Sequence, residues 1–111
     1  MVQASDATQL YGAGVTGTAY TLSRTDGGRV LEGNNASAQT FTIPAVSTAG
    51  WLVGTVLYVF QQGAGQITIA GAGGVTLRSN GGKYKTAGQY ATISLRMRAN
   101  DEWVIAGDTA A

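Results

Sequence analysis

The chain has 111 residues, a formal net charge of +1 and charged side chains at only 12% of its positions. This balance provides no strong field for attracting nucleic acid or a membrane surface, and the basic residues are spread along the chain rather than gathered in a run. Histidine and cysteine are both absent, which excludes the commonest general base, a thiol nucleophile, a disulfide framework and the usual transition-metal ligands.

The length fits a single domain with one hydrophobic core. Seventeen glycines accompany one proline, but the apolar residues are β-branched, aromatic and clustered, which favours a folded chain over a disordered one. Residues 1–10 lack the basic start and apolar stretch of a signal peptide. The longest apolar runs, of about seven residues, are far short of the roughly 20 that cross a membrane. We therefore expect synthesis in the cytoplasm and no membrane partner.

Residues 1–17 are predicted to form a flexible or extended N-terminal arm. The large apolar groups of this segment are Val2, Leu10, Tyr11 and Val15. A segment with so little to bury is typical of a mobile tail, or of an arm that becomes ordered on a partner. The remaining residues, 18–111, are predicted to form one β domain.

From residue 18 onward the chain shows the alternation of apolar and polar side chains that is typical of half-buried strands. The pattern predicts about eight short strands, at residues 18–22, 29–33, 39–43, 55–61, 66–70, 75–79, 90–98 and 102–106. Glycine-rich turns separate them, and no window carries a useful amphipathic helical stripe. We predict an all-β fold, a compact antiparallel sandwich or barrel-like domain.

The strand at residues 55–61 is apolar on both faces, which is typical of a central strand covered on both sides. A monomeric β domain usually protects its edges and its surface with charge, and this chain has little charge available. We therefore expect identical copies or a larger assembly to cover much of the surface. A homo-oligomer with closed symmetry is the simplest such arrangement.

The acidic residues offer little support for catalysis. Asp26 and Asp101 fall in turns, where aspartate commonly hydrogen-bonds nearby backbone, while Glu32 and Glu102 fall on strands, where they either face solvent or pair with arginine across strands. The G-x-G clusters link strand to strand, whereas phosphate-binding loops need a helix behind them. We expect no enzyme activity, no cofactor and no metal site.

Aromatic and basic side chains are the best candidates for contacts with a receptor or partner. We expect exposed contacts at Lys83, Tyr84, Lys85 and Tyr90, with Tyr84 in a polar, glycine-rich loop. Trp51 and Trp103 adjoin aliphatic strands, so we expect them in the core or in a subunit interface.

Seven short motifs follow one another between residues 18 and 108. They are YTL at 20–22, DGGRVLE at 26–32, NNASAQTFTIP at 34–44, VGTVL at 53–57, QQGAGQITI at 61–69, GVTLRS at 74–79 and DEWVIAGD at 101–108. This ordered series resembles a β module common in structural proteins of tailed bacteriophages, including tail fibres, tail-associated proteins, head fibres and capsid decoration proteins. The resemblance implies a structural role in the virion and brings no catalytic residue pattern with it.

In tail fibres the module is one part of a long chain, whereas here it spans nearly the whole sequence. The resemblance therefore implies a small capsid decoration (cement) protein that binds the assembled head in many copies and stabilises it. By analogy we expect a homotrimer that contacts the major capsid protein through one face of the β domain and through the arm residues Val2, Leu10, Tyr11 and Val15.

The alternative is a tail-fibre or tail-spike module that contacts other tail proteins or a host surface glycan or receptor. In that case the exposed side chains of Lys83, Tyr84, Lys85 and Tyr90 would make the contact. Both hypotheses place the protein in the virion after its synthesis in the bacterial host.

Overall fold

The computed structural model describes residues 11–111, with side chains described from residue 14 onward, and its fold is all-β. The strands are β1 (Tyr11–Val15), β2 (Ala19–Thr21), β3 (Val30–Gly33), β4 (Gln39–Ile43), β5 (Val56–Gln61), β6 (Ile67–Gly71), β7 (Thr76–Arg78), β8 (Lys85–Thr86), β9 (Thr92–Ala99), β10 (Glu102–Gly107) and β11 (Thr109–Ala110). A 3-10 turn at Arg24–Asp26 and a four-residue helix, α1 (Val46–Ala49), lie in the connections.

The strands form two mixed sheets. Sheet A has the order β1-β3-β5-β9-β10-β7, and sheet B has the order β11-β8-β6-β4-β2. From β1 to β6 the chain alternates between the sheets, so that each winding of two strands adds one strand to each sheet. The strands of successive windings are parallel, β1 to β3 to β5 in sheet A and β2 to β4 to β6 in sheet B.

The prediction of an all-β fold is confirmed, but the expectation of antiparallel pairing is wrong for this first half and for the later pair β7 and β10, which is parallel. Consecutive strands from β1 to β6 enter different sheets, so they cannot pair as hairpins. Each strand pairs instead with the equivalent strand of the next winding. Antiparallel pairing begins with β9, which lies between β5 and β10, and with β8, which pairs with β6 and β11.

All eight predicted strands are present, with ends shifted by at most two residues, and the described chain has three more. One of them, β1, falls in the predicted arm. It pairs with β3, and the Asn34 amide donates a hydrogen bond to the Val15 carbonyl at 2.9 Å. Residues 11–15 are therefore part of sheet A, which corrects the predicted arm boundary at residue 17.

Inward-facing side chains of both sheets form one buried cluster. Its members are Val15, Leu22, Leu31, Phe41, Ile43, Trp51, Leu57, Val59, Ile67, Ile69, Ile93, Leu95, Met97, Trp103 and Ile105. The two tryptophans pack edge to face with ring centroids 5.0 Å apart, and the indole of Trp51 donates to the Pro44 carbonyl at 3.0 Å. Their predicted place in the core is confirmed.

At one end of the molecule the turns at residues 34–38 and 62–66 approach each other so closely that backbone lies against backbone. The Gly65 amide donates to the Asn35 carbonyl at 2.8 Å, and the Gly63 amide donates to the Gly33 carbonyl at 3.1 Å. A Cβ added at Gly63 or Gly65 would overlap the backbone of the neighbouring turn. Glycine at these positions therefore permits the two turns to stack.

Buried amide side chains hold the same end together. The Gln39 Nε2 donates to the carbonyls of Val15, at 2.9 Å, and of Gly17, at 2.8 Å. These bonds join the first winding (β1 and β2) to the second (β3 and β4). The Gln61 Nε2 donates to the Gly63 carbonyl at 3.1 Å, and its Oε1 accepts from the Thr86 hydroxyl. The bonds to Gly17 and Gly63 satisfy backbone carbonyls that the turns would otherwise leave without partners.

Replacing Gly65 by alanine tests this stacking. The new methyl group would overlap the Ser37 carbonyl, so we expect Gly65→Ala to lower the free energy of unfolding by about 2 kcal/mol or more. The matched control is Gly73→Ala, where the surroundings are open and φ lies outside the left-handed region; we expect a change within about 0.5 kcal/mol. Urea denaturation of both variants gives the comparison, and equal effects would contradict the close approach.

Candidate functional site

Asp26, one of the acidic residues that a catalytic pair would need, has a structural role. Its side chain is 5% exposed, and its Oδ2 accepts hydrogen bonds from the Ser23 amide at 2.9 Å and from the Tyr20 hydroxyl at 2.8 Å. The prediction that Asp26 bonds the backbone of its own turn is confirmed. Burial and the neighbouring Asp26 carboxylate together raise the pKa of Tyr20 to about 12.

Glu102 lies on the surface of sheet A between two arginines. Its carboxylate lies 3.2 Å from Arg78 Nε and 2.9 Å from Arg98 Nη1, so the prediction that it pairs with arginine is confirmed. The hydrogen bond from Arg78, assisted by Arg98, lowers the pKa of Glu102. Asp101 accepts the Val46 amide at 2.7 Å and thereby joins the turn before β10 to helix α1.

Residues 11–111 contain no cluster of three or more histidine, cysteine, aspartate or glutamate residues that could hold a metal ion. Within the same part of the chain, no helix has the length and apolar character needed to cross a membrane.

The predicted docking residues of the arm have different positions. Val2 and Leu10 lie outside the described residues, and Tyr11 is the first residue of β1. Val15 is 6% exposed and belongs to the buried core, so it would reach a partner only if β1 left the sheet. The assignment of Val15 as an accessible docking contact is therefore corrected.

The four predicted receptor contacts do not form one surface. Lys83 is exposed in the loop before β8, and Lys85 is half-buried in that strand. Tyr84 is half-buried rather than exposed, because its ring packs against the core and its hydroxyl donates to the Leu77 carbonyl at 3.1 Å. Tyr90 is 66% exposed but lies elsewhere, on the outer side of sheet A.

The most distinctive surface of the described chain is the outer side of sheet A. Alternation along β5 directs Leu57 and Val59 into the core and leaves Tyr58 on the outside, 43% exposed. We define the aromatic face as this outer surface around Tyr58; its apolar and aromatic members are Val30, Val56, Tyr58, Phe60 and Tyr90. Strand register places Val30 beside Tyr58, and all five residues lie outside the buried cluster.

Tyr90 is held against this face by the backbone. It has a φ of 72°, and its amide donates to the Gln61 carbonyl at 2.6 Å, just beyond the end of the apolar part of β5. A non-glycine residue with positive φ costs about 1 kcal/mol or more. This conformation places the Tyr90 ring over that of Phe60, with centroids 6.2 Å apart and planes 27° apart.

Two opposite charges flank the centre of the aromatic face. Glu32 on β3 lies beside Phe60, and Arg96 on β9 lies beside Val56, so they occupy opposite sides of Tyr58. Neither makes an ion pair within residues 11–111, whereas the arginines Arg78 and Arg98 are both occupied by Glu102. The face therefore has an apolar centre, with one acidic side chain on one side and one basic side chain on the other.

Of this face, the sequence predicts only Tyr90 as a contact residue. The signal for the others is the two-sided apolar pattern of residues 55–61, which predicts a strand covered on both sides. The structure covers only one side of β5, so the same pattern indicates the surface that is left open.

Comparison of the chain with protein-family models, with curated proteins and with solved structures finds no match.

Replacing Tyr20 by phenylalanine tests the Tyr20–Asp26 pair. We expect a loss of about 1 kcal/mol in the free energy of unfolding at neutral pH, because a hydrogen bond to a nearly buried carboxylate is removed. The folded-state pKa of Tyr20 lies above the ordinary value of 10, so the native state keeps this proton after the unfolded chain loses it. The stability from this group is complete below pH 10 and declines from there to about pH 12.

Thermal unfolding measured from pH 8 to pH 12 checks the sign of this effect. The native chain should lose stability steeply above pH 10, and Tyr20→Phe should lose it less steeply. Identical pH profiles for the two proteins would contradict the assignment.

Proposed function

We propose that the chain is a structural protein of a tailed-phage virion, a capsid decoration protein that binds the assembled head in many copies and stabilises it. The observation that carries the proposal is the aromatic face, a surface of protein–protein character on a chain that has very little charge. The ordered motifs between residues 18 and 108, which resemble those of phage structural proteins, support a phage particle as the assembly.

The composition of the aromatic face suits a partner protein better than it suits water. Tyrosine and phenylalanine are enriched at the centres of protein interfaces, and charged residues are depleted there. Tyr58 lies at the centre of this face, with aliphatic and aromatic neighbours on β3 and β5. A covered face would also explain why β5 carries apolar side chains on both sides.

The acidic residues support a structural role over a catalytic one. Asp26 holds a turn, Asp101 caps helix α1, and Glu102 bridges two arginines, so each has a partner that stabilises the fold. We propose that the chain is not an enzyme and takes no cofactor.

We interpret the fold as a sandwich of sheets A and B. The support is that inward-facing residues of both sheets share one buried cluster, while their alternate residues face outward, as in two-layer packing.

In this proposal the stabilisation of the capsid is thermodynamic. A protein that binds the assembled shell and not its free subunits stabilises the shell by mass action, and a segment that becomes ordered on docking adds buried area. The partners are the major capsid protein and other copies of the chain. Val2, Leu10 and Tyr11 remain the proposed docking residues of the arm.

Deletion of residues 2–10 tests the role of the arm in capsid binding. We expect affinity for purified empty capsids to fall roughly tenfold or more, because the apolar docking groups of Val2 and Leu10 are removed. The rise in capsid melting temperature produced by the full chain should shrink accordingly. Because this deletion ends before β1, a longer deletion of residues 2–17 serves as the comparison and should also lower the melting temperature of the free protein.

Calorimetry of capsids mixed with each variant supplies the readout, and Thr40→Ala on the outer face of sheet B is the control. A full chain that leaves capsids unaltered but adsorbs to host cells would refute the decoration role.

A second candidate function is receptor binding, and the geometry of Tyr90 favours it specifically. Its ring is largely exposed and stacked on Phe60, and such aromatic platforms present an apolar surface with a polar tip to a ligand. A host surface glycan is the ligand class that fits the tail-fibre or tail-spike alternative.

Tyr90→Ala separates this candidate from the first one. If the tail-fibre alternative holds, binding to host surface polysaccharide should weaken at least about tenfold, as measured by glycan-array or calorimetric titration. Lys83→Ala is the matched variant, since Lys83 is exposed in the loop before β8 and is also a predicted contact. Weakening by Lys83→Ala alone would assign the contact to that loop, and no binding by the native chain would exclude the candidate.

A further inference from the structure

We propose that the aromatic face pairs with the same face of a second copy of this chain, about a two-fold axis that passes through Tyr58. This inference rests on the proposed function, because it names one of the partners that cover the face in the assembly, and it replaces the homotrimer expected by analogy with a two-fold dimer. It is carried by the positions of Glu32 and Arg96.

The strand registers fix these positions. Glu32 lies one strand away from Tyr58 and two residues towards the C-terminal end of β5, whereas Arg96 lies one strand away on the other side and two residues towards its N-terminal end. With strands about 4.8 Å apart and about 3.3 Å per residue, each Cα lies about 8 Å from that of Tyr58. The two displacements are equal and opposite.

This symmetry is what an isologous interface requires. In such an interface a residue at one point contacts its counterpart across the axis, and the reverse contact follows automatically. An axis through Tyr58, in the plane of the interface and perpendicular to the line from Glu32 to Arg96, places Glu32 opposite the partner's Arg96. The reciprocal pair forms on the other side, so two unlike pairs form and like charges do not meet.

The remaining parts of the face agree with this arrangement. Tyr58 meets its own counterpart at the axis, Val56 falls near the partner's Val30, and Phe60 falls near the partner's Ser94. The strands of the two copies cross at about 70°, which falls near the orthogonal class of sheet packing. Arg78 and Arg98 are already neutralised in part by Glu102 and lie towards the periphery.

The size of the face sets the strength of the pairing. Six strands of three to eight residues, about 4.8 Å apart and about 3.3 Å per residue, give a flat area of roughly 500 Å² for each copy. That is somewhat below the roughly 800 Å² per partner of a standard stable interface. We therefore expect a weak dimer in solution, which becomes well populated where many copies are concentrated on one particle.

Charge reversal at the two positions tests the inference. Glu32→Arg would place two arginines opposite each other at both pairs, and Arg96→Glu would place two glutamates there. We expect each single variant to raise the dimer Kd at least about tenfold, as measured by sedimentation equilibrium. The double variant, which exchanges the two charges, should recover dimerisation.

The sharpest measurement uses an equimolar mixture of the two single variants. One chain then carries two arginines and the other carries two glutamates, so a heterodimer restores both unlike pairs while each homodimer remains repulsive. Lys83→Glu changes charge away from the face and should leave the Kd unchanged. Thermal unfolding of each variant confirms that the native fold is retained.

A native chain that remains monomeric at millimolar concentration would overturn the inference, as would a trimer or a mixture that does not associate. The capsid assay separates this failure from that of the proposed function. A monomeric chain that still binds capsids refutes only the two-fold pairing, and a dimer that ignores capsids refutes only the decoration role.

Discussion

The close stacking of backbone at one end of the molecule is the constraint on which the rest of the structure depends. Gly63 and Gly65 bring the turn between β5 and β6 into contact with the turn at 34–38, where a side chain would keep the two apart. That contact sets the register of β5 on β3 and of β6 on β4. The register of β5 on β3 places Glu32 on one side of Tyr58, and the separate register of β9 on β5 places Arg96 on the other side.

Several of the few charged and amide side chains stabilise the fold. Asp26 holds a turn that Tyr20 also contacts, Asp101 joins β10 to helix α1, and Gln39 hydrogen-bonds carbonyls between β1 and β2. The outer side of β5 itself carries Val56, Tyr58 and Phe60, none of which is charged.

The sequence predicted the strands well and their pairing poorly. Alternation of apolar and polar residues reports which side of a strand is buried, and it located all eight predicted strands. It does not report the direction of the neighbouring strand, so the parallel pairing from β1 to β6 could not be inferred from it. Strand β1 was missed because Gly12 and Gly14 interrupt its alternation, and β8 and β11 because two residues carry no period. The site was missed for a related reason: the pattern of β5 shows that both of its faces suit burial, and only tertiary structure shows which one the chain itself covers.

The parallel winding of β1 to β6 has a consequence for how such a chain can change in evolution. One complete winding contributes one strand to each sheet, and these strands hydrogen-bond with the strands of the winding before and of the winding after. Insertion or loss of a whole winding would therefore preserve the strand pairing of both sheets and alter only their width. The domain is in this sense extensible, because its outer faces can be enlarged in steps of one strand. The strands β9 and β10, which complete sheet A, would keep the same position beside the last winding.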